Sequence, residues 1–205
     1  MTDNSFNRLP LPAEQLDNLE SLGYREMTAI QAATLPLALA GRDLIAQAKT
    51  GSGKTAAFTL PLLDKINPRD FGAQALILCP TRELATQVAS EIRRLARYRQ
   101  NTKVVILCGG QSIGPQIGSL EHGAHIVVGT PGRIGDHLRK QTLSLARVNT
   151  LVLDEADRML EMGFADDIEH IIGQTPDTRQ TLLFSATYPE DILGLSARFQ
   201  QEPER

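Results

Sequence analysis

The feature that most constrains the fold of this chain is the alternation of short apolar segments with longer segments of helical periodicity. The apolar segments are three to six residues long, and they lack the polar alternation of a strand that has one face in water. Continuous apolar strands of this kind are typical of a parallel sheet that helices cover on both faces. The candidate strands are Leu44–Ala46, Ala75–Cys79, Lys103–Cys108, Ile126–Val128, Thr150–Leu153 and Thr181–Phe184.

Helical periodicity separates these strands. Between Thr81 and Arg97, apolar residues recur at spacings of four, four and three, which place them on one face of a helix. A second helix is expected over Gln31–Ala40, because Gly41 suits the left-handed residue that ends many helices. Strands that alternate with helices form βαβ units. We therefore predict a three-layer α/β domain with a mostly parallel sheet and helices on both faces.

Composition limits the possible functions. The chain has 205 residues, of which 41% are hydrophobic and 22% are charged, values typical of one folded domain rather than a disordered segment. No apolar run reaches the length of a membrane span, and Cys79 and Cys108 form no metal or disulfide motif. We therefore expect a cytoplasmic protein with no membrane partner. Since the net charge is −3, any grip on a nucleic acid must come from backbone amides and a few placed cations.

A glycine-rich segment, A-K-T-G-S-G-K-T, follows the first candidate strand and precedes a helical pattern. Glycine allows a tight turn in which successive N–H groups point at phosphate oxygens, and the next helix N-terminus adds partial positive charge. In this geometry Lys54 reaches the β- and γ-phosphates, and the Thr55 hydroxyl is a ligand for Mg²⁺. The alternative is a turn that binds nothing, and Ala48 replaces the glycine that usually opens the motif. The predicted phosphate-binding residues are Ala48, Lys49, Thr50, Gly51, Ser52, Gly53, Lys54 and Thr55.

Two carboxylates end the fifth candidate strand. Asp154 and Glu155 follow T-L-V-L, so the strand delivers them to the carboxyl edge of the sheet, where the glycine-rich segment also lies. We predict that Asp154 holds Mg²⁺, in part through water, that Glu155 orients and polarises the attacking water, and that Lys54 assists catalysis. Taken alone, the acidic residues can simply begin a helix. Their order after a phosphate-binding segment favours the functional interpretation.

These two motifs, with shorter ones around them, resemble the first RecA-like domain of the DEAD-box ATP-dependent RNA helicases, a P-loop fold. Residues 154–157 read D-E-A-D, and the other segments follow in the order of that family. They are G-Y-R-E-M-T-A-I-Q at 23–31, P-T-R-E-L-A at 80–85, G-G at 109–110, T-P-G-R at 130–133 and S-A-T at 185–187. The resemblance covers residues 6 to 198, and the sequence between the motifs is most similar to that of a bacterial subgroup that acts in ribosome assembly.

The resemblance implies a role for each segment. The residues that bind adenine are Tyr24, Thr28 and Gln31, of which Gln31 offers a donor and an acceptor on one amide. The residues that contact the RNA backbone without reading its sequence are Pro80, Thr81, Arg82, Gly109, Gly110, Thr130, Pro131, Gly132 and Arg133. Those that couple hydrolysis to strand separation are Asp157, Ser185 and Thr187. Structural alternatives exist: Thr81 can cap a helix, the glycines can form a plain turn, and Thr187 with Glu190 fits a capping box.

No segment after Thr187 resembles the second RecA-like domain of that family. We therefore divide the chain into an N-terminal helix with the adenine-binding segment (1–31), a RecA-like ATP-binding domain (32–198) and the start of a linker or a frayed end (199–205). The expected partners are ATP, Mg²⁺, RNA and a second RecA-like domain of the same protein, and the expected state is a monomer. Because the family's arginine fingers lie in that second domain, we expect this chain alone to be nearly inactive.

Two other functions remain open from the sequence. A module that binds nucleotide or RNA without hydrolysis would carry the same motifs. A P-loop enzyme of another substrate class, such as a DNA translocase or a small-molecule kinase, would share the phosphate-binding segment. Substitution of Glu155 separates an enzyme from a binding module, and competition between RNA, DNA and small acceptors separates the substrate classes.

Overall fold

The computed structural model describes residues 4–188 and 190–205, and within them six strands form one sheet. Every pair of neighbouring strands is parallel. In chain order the strands are β1 (Leu44–Gln47), β2 (Ala75–Leu78), β3 (Val104–Leu107), β4 (Ile126–Gly129), β5 (Thr150–Asp154) and β6 (Gln180–Ser185). All six predicted strands are therefore confirmed.

The helices lie between the strands, as the periodicity predicted. They are α1 (Ala13–Ser21), α2 (Ala29–Leu39), α3 (Lys54–Lys65), α4 (Arg82–Leu95), α5 (Gly114–Glu121), α6 (Pro131–Arg139), α7 (Ala156–Glu161), α8 (Ala165–Ile172) and α9 (Glu190–Phe199), and a 3₁₀ turn lies at Phe6–Arg8. The helix expected after Thr81 is α4, and the predicted left-handed residue after α2 is Gly41, with φ of 82°. Among the described residues, no helix has both the length and the hydropathy needed to cross a bilayer.

The core consists of two apolar clusters, one on each face of the sheet. Along β2, Ile77 belongs to the cluster with α2, α3 and α4, while its neighbours Leu76 and Leu78 belong to the cluster with α6 to α9. All three side chains are fully buried. Successive strand residues point to opposite faces, and both faces are covered. This arrangement explains why the strands read as continuous apolar runs, and it confirms the three-layer α/β class.

The strand order is β1-β6-β5-β2-β4-β3. Because all strands are parallel, the loops that follow them lie along one edge of the sheet. The loops after β1, β6 and β5 are therefore neighbours in one half of this edge, and the loops after β2, β4 and β3 are neighbours in the other half. The first half carries the motifs predicted for the nucleotide and for coupling, and the second half carries those predicted for RNA.

The N-terminal segment, which the sequence suggested as a separate unit, packs into the main core. Phe6, Leu19 and Met27 are buried in the same cluster as α2 to α4. The N–H of Met27 also donates to the carbonyl of Asn4 at 2.8 Å. Residues 4–31 therefore form part of the domain rather than an appendage.

The C-terminal tail, predicted to be a linker or a frayed end, is instead docked on the edge of the sheet. Nε2 of the buried Gln200 donates to the carbonyls of Leu44 at 2.7 Å and of Thr181 at 2.9 Å. The N–H of Ile45 donates to the carbonyl of Glu204 at 2.9 Å, which forms a short parallel bridge beside β1. Such an edge offers unpaired backbone groups, so a polar segment without any apolar pattern can bind it.

Candidate functional site

The glycine-rich loop joins β1 to α3 in a conformation that only glycine adopts without strain. Gly51 and Gly53 have φ of 82° and 91°, and a Cβ atom on Gly53 would lie 2.6 Å from Nε2 of Gln31. Gly53 is also the N-cap of α3 and has no side chain to bond the free amides of the first turn. These amides and the helix dipole therefore remain available for an anion, as the phosphate-binding prediction requires.

Lys54 connects this loop to the acidic pair at the end of β5. Its ammonium lies 2.7 Å from Oδ1 of Asp154 and 3.4 Å from Oε1 of Glu155. The side chains of Lys54 and Asp154 are 5% and 0% exposed, so this ion pair is shielded from water. The structure thus brings together the two segments that the sequence places about a hundred residues apart.

Glu155 has an unusual backbone for a residue with a side chain. It follows the last residue of β5 with φ of 55° and ψ of 52°, a left-handed conformation, and α7 begins at the next residue. This conformation costs about 1–2 kcal/mol outside glycine, and such strain concentrates at functional sites. The carboxylate accepts a hydrogen bond from the hydroxyl of Thr50 at 2.6 Å, which ties it to the glycine-rich loop.

The two adjacent carboxylates have opposite pKa shifts. Burial raises the pKa of Asp154, and the Lys54 ammonium offsets this only in part. Burial would also raise the pKa of Glu155, but the hydrogen bond from Thr50 and the charge of Lys54 outweigh it and hold that pKa below its usual range. Glu155 is therefore a carboxylate at neutral pH, which can accept a hydrogen bond from water.

The oxygen ligands that Mg²⁺ prefers are present at this edge. Among the described residues, Lys54 is the only side chain that bonds the carboxylate of the buried Asp154, through Oδ1. The buried hydroxyl of Ser52 in the loop has no hydrogen-bond partner within the described part of the chain. Thr55 is the second residue of α3 and supplies a further hydroxyl next to Lys54. A carboxylate and a hydroxyl with room for water are the ligand set of a phosphate-bound Mg²⁺, so these residues fit the ion.

The segment predicted to bind adenine makes contacts of its own with the glycine-rich loop. Oε1 of Gln31 accepts from the N–H of Thr28 at 2.9 Å, and its Nε2 donates to the carbonyl of Gly53 at 3.0 Å. Thr28 and Gln31 form a capping box at the start of α2, a pattern visible in T-A-I-Q. Both groups of the Gln31 amide are thus used within the protein. The amide anchors the loop here, and adenine binding by Thr28 and Gln31 stays a prediction.

The aromatic residues of this segment face α4. The hydroxyl of Tyr24 donates to the carboxylate of Glu91, and its ring meets Phe6 edge-on, with centroids 6.1 Å apart. Phe6 is 4% exposed and serves as packing. Since Tyr24 is held from both ends, its stacking on a base stays a prediction.

In the other half of the edge, the P-T-R segment meets the G-G segment. Pro80 is buried, and the hydroxyl of Thr81 accepts from the N–H of Leu84 at 3.2 Å, so the helix-cap alternative for Thr81 is confirmed. Arg82 is half exposed at the first turn of α4. A Cβ atom on Gly110, whose φ is 79°, would lie 3.3 Å from Nη1 of Arg82. The two motifs are thus in contact although β4 separates their strands.

The T-P-G-R segment begins α6, with the buried Pro131 as the first helical residue after Thr130. Arg133 is only 11% exposed, and its guanidinium donates to Oε1 of Gln116 at 3.1 Å and to the carbonyl of Gln111 at 2.9 Å. Arg133 is thus largely engaged within the protein, and its contact with the RNA backbone stays a prediction. Its bond to the carbonyl of Gln111 holds the loop after β3. Gly109, Thr130 and Gly132 are partly exposed, and their contact with RNA stays a prediction.

A direct hydrogen-bonded link joins D-E-A-D to S-A-T. The N–H and the hydroxyl of Thr187 both donate to Oδ2 of Asp157, at 3.1 and 3.0 Å. Ser185, the other residue expected to couple through Asp157, does not bond it. Its hydroxyl donates instead to the carbonyl of Thr187 at 2.6 Å. The capping-box alternative also differs, because α9 begins only at Glu190 and the Thr187 hydroxyl is used by Asp157. The intervening residue 189 lies outside the described residues.

Two buried residues beneath the RNA-facing loops were not predicted from the sequence. Gln116 and His137 are 9% and 0% exposed and hydrogen-bond to each other. Their partners come from different helices, so no local spacing identifies them.

These features define a P-loop nucleotide-binding domain of the RecA type. The parallel sheet carries a glycine-rich loop after its first strand and a buried acid at the end of another strand, and a lysine lies between them. Residues 28–194 match the family described as DEAD/DEAH box helicase. The chain belongs to this family, as its motifs predicted.

Several relatives agree with this assignment. The chain is 61% identical over 193 residues to the ATP-dependent RNA helicase DbpA of Escherichia coli, and the aligned residues cover 94% of this chain and 42% of that protein. It is 50% identical over 200 residues to the DEAD-box ATP-dependent RNA helicase CshA of Bacillus cereus, which covers 98% of this chain and 38% of that protein. DbpA represents the bacterial subgroup that the sequence between the motifs indicated.

A solved structure shares the fold. The crystal structure of a DEAD box protein from the hyperthermophile Methanococcus jannaschii superposes with a TM-score of 0.93 at 45% identity, over 98% of this chain and 55% of that chain. The chain spans less than half of the length of the DbpA and CshA relatives.

Proposed function

We propose that this chain is the ATP-binding half of an ATP-dependent RNA helicase, in which RNA-stimulated ATP hydrolysis drives local unwinding of an RNA duplex. The observation that carries this proposal is the contact of Lys54 with Asp154 and Glu155 beside an open glycine-rich loop. The names of the DbpA and CshA relatives, both RNA helicases, support RNA as the nucleic acid.

The residues of the site divide the work of phosphoryl transfer. The amides of the loop and the first turn of α3 bind the phosphates, and Lys54 turns from the carboxylates towards the β- and γ-phosphates. When bound, Mg²⁺ neutralises charge that develops on the phosphate oxygens, and Asp154 and Thr55 hold it. Glu155 accepts a hydrogen bond from the attacking water and orients it. Its left-handed backbone fixes the carboxylate before substrate binds, so little reorganisation is needed during the reaction.

RNA would bind along the other half of the same edge. Arg82, Gly110 and Thr130 place one half-exposed cation and several backbone groups there, which suits phosphates and sugars rather than base edges. We therefore propose sequence-nonspecific binding that weakens as salt concentration rises. Asp157 and Thr187 would carry the state of the nucleotide to this surface through their hydrogen bonds.

The second RecA-like domain of the same protein would complete the site. Its cationic residues would stabilise the transferred phosphoryl group, so we expect little turnover by residues 1–205 alone. We further propose a monomeric cytoplasmic protein that acts in assembly of the ribosome, a role suggested by its similarity to the DbpA subgroup.

Nucleotide binding tests the proposal directly. We expect the chain to bind a fluorescent ATP analogue with Mg²⁺, and we expect Lys54→Ala to weaken this binding by about tenfold or more, because one charge-assisted contact to phosphate is lost. GTP should compete poorly with the analogue. Failure of the parent chain to bind nucleotide, or equal binding by Lys54→Ala, would contradict the proposal.

A second candidate is a module that binds nucleotide without hydrolysis, since the chain spans less than half of its DbpA and CshA relatives. Glu155→Gln separates the two functions. It keeps the size of the side chain but removes the charge that orients water, so residual hydrolysis should fall while nucleotide affinity stays unchanged. A chain whose low hydrolysis rate is insensitive to Glu155→Gln would be the binding module.

A further inference from the structure

One buried polar residue beneath the RNA-facing loops has no role in the function proposed above. Gln116 lies in α5, and its side chain is enclosed between the end of β3 and the first turns of α6. Burial of an amide is unfavourable unless its donors and acceptors are satisfied. Its partners therefore show which segments the residue holds together.

The amide of Gln116 makes hydrogen bonds to three positions. Its Nε2 donates to the carbonyl of Cys108 at 2.9 Å. Its Oε1 accepts from Nη1 of Arg133 at 3.1 Å and from Nε2 of His137 at 2.9 Å. Because a guanidinium can only donate, these contacts fix the orientation of the amide and place the proton of neutral His137 on Nε2.

These partners belong to the two motifs predicted to contact RNA. Cys108 comes directly before the G-G segment, and Arg133 belongs to T-P-G-R. Since Arg133 also donates to the carbonyl of Gln111 at 2.9 Å, the loop after β3 is held on both sides of its glycines. The close approach of Gly110 to Arg82 extends this contact to the first turn of α4.

We infer that Gln116 is a positioning residue for RNA binding, one that fixes the G-G loop relative to T-P-G-R. The inference rests on the proposed function, because it assigns the support of the surface proposed to bind RNA. Contacts from backbone amides to phosphates require those amides at set separations, and a loop held in place loses less entropy on binding. Without the amide of Gln116, Arg133 and His137 keep buried donors with no acceptor, and the loop after β3 is free to move.

The test compares two variants that remove similar amides from opposite edges of the sheet. Gln116→Met keeps the length of the side chain and removes all three hydrogen bonds. Gln74→Met is the matched control, because Gln74 is also buried and also makes three hydrogen bonds, to Asn67 and Asp70 before β2. RNA binding is measured by anisotropy of a labelled single-stranded oligouridine at low salt, and nucleotide binding by a fluorescent ADP analogue.

We expect Gln116→Met to weaken RNA binding by about tenfold, the effect of roughly one unsatisfied buried group, and to leave ADP binding unchanged. We expect Gln74→Met to lower the melting temperature by about as much as Gln116→Met does, and to change neither the RNA affinity nor the ADP affinity. Amide hydrogen exchange of residues 109–112 should accelerate in Gln116→Met alone. Unchanged RNA affinity in Gln116→Met, or an equal loss in Gln74→Met, would overturn the inference.

A third variant covers the case in which Gln116→Met does not fold. Gln116→Glu keeps both acceptor contacts, to Arg133 and His137, and replaces the donor to Cys108 with a carboxylate oxygen that cannot bond that carbonyl. If Gln116→Met folds, we expect Gln116→Glu to bind RNA more tightly than Gln116→Met. If Gln116→Met is unfolded, we expect the RNA affinity of Gln116→Glu to lie within a few-fold of that of the parent chain. Weaker RNA binding by Gln116→Glu than either comparison predicts would overturn the inference. If the parent chain binds ADP but no RNA, both the inference and RNA as the proposed partner fail. If the parent binds RNA and Gln116 has no effect, the inference alone fails.

Discussion

Glu155 shows how one residue combines backbone geometry, electrostatics and chemistry. Its left-handed backbone turns the chain sharply between β5 and α7, and its carboxylate meets Thr50 and Lys54 from the glycine-rich loop. Most side chains avoid this backbone region, because Cβ approaches the following carbonyl oxygen. The position therefore retains a glutamate at a cost in stability, which is expected where the carboxylate is needed for function.

A pair of substitutions at Glu155 measures that strain. Both Glu155→Gly and Glu155→Ala remove the carboxylate and its contacts, but only alanine retains a Cβ in the left-handed conformation. We expect the glycine variant to be more stable than the alanine variant by about 1 kcal/mol in urea unfolding.

The exposed His170 in α8 provides the control for this comparison. There the order should reverse, because alanine is favoured over glycine by about 1 kcal/mol inside a helix. The same order of stability at both positions would mean that Glu155 is not strained.

At the scale of elements, the edge strand β1 depends on a segment far away in the chain. Gln200 directly follows α9, and its Nε2 donates to the carbonyls of Leu44 in β1 and Thr181 in β6. Glu204 forms backbone hydrogen bonds beside β1. These contacts lie on the strand that leads into the glycine-rich loop. The tail thus completes the element that positions the loop.

Substitution of Gln200 tests this contribution. We expect Gln200→Ala to lower the free energy of unfolding by about 1–3 kcal/mol, because two buried carbonyls lose their donor. The neighbouring Gln201→Ala should cost less than about 0.5 kcal/mol, since its side chain makes a single bond at the surface. Chemical denaturation of both variants gives the comparison, and equal costs would show that the tail is only loosely attached.

At the scale of the whole molecule, two buried histidines link stability to pH. His125 accepts from the N–H of Lys103 at Nδ1 and contacts the carbonyl of Pro68 at Nε2, and His137 bonds Gln116 as described above. Burial lowers the pKa of both, and nearby Lys103 and Arg133 respectively add to this effect. The folded state therefore binds these protons less readily than the unfolded state.

The sign of the pH dependence follows from these shifts. Stabilisation by the neutral histidines is present above the pKa of an unfolded histidine, about 6.5, and is lost as pH falls towards the lower pKa values of the folded state. We expect the free energy of unfolding to decrease between about pH 7 and pH 5. His125→Asn should reduce this slope, and urea unfolding of the parent chain and the variant at several pH values measures the change. An unaltered slope in His125→Asn would contradict this account.

The amino-acid sequence alone determined the fold class, the six strands and the content of the nucleotide loop. These features depend on residues close together in the chain: apolar runs reveal buried strands, and glycines before a lysine reveal a phosphate-binding turn. For the same reason, the cap at Thr81 was predicted from a short pattern, and the capping box at Thr28 and Gln31, which was not predicted, has an equally local signal in T-A-I-Q.

Only the tertiary structure decided how these segments combine. The strand order placed the loops after β1, β6 and β5 together and those after β2, β4 and β3 together. It also assigned Arg133 to Gln116, Ser185 to the carbonyl of Thr187, and the polar tail to the edge of β1. The hydrogen-bond partners of polar side chains depend on distance and burial in the folded chain, and many arrangements of strands and helices satisfy the same apolar pattern. No local spacing in the chain therefore encodes these hydrogen bonds.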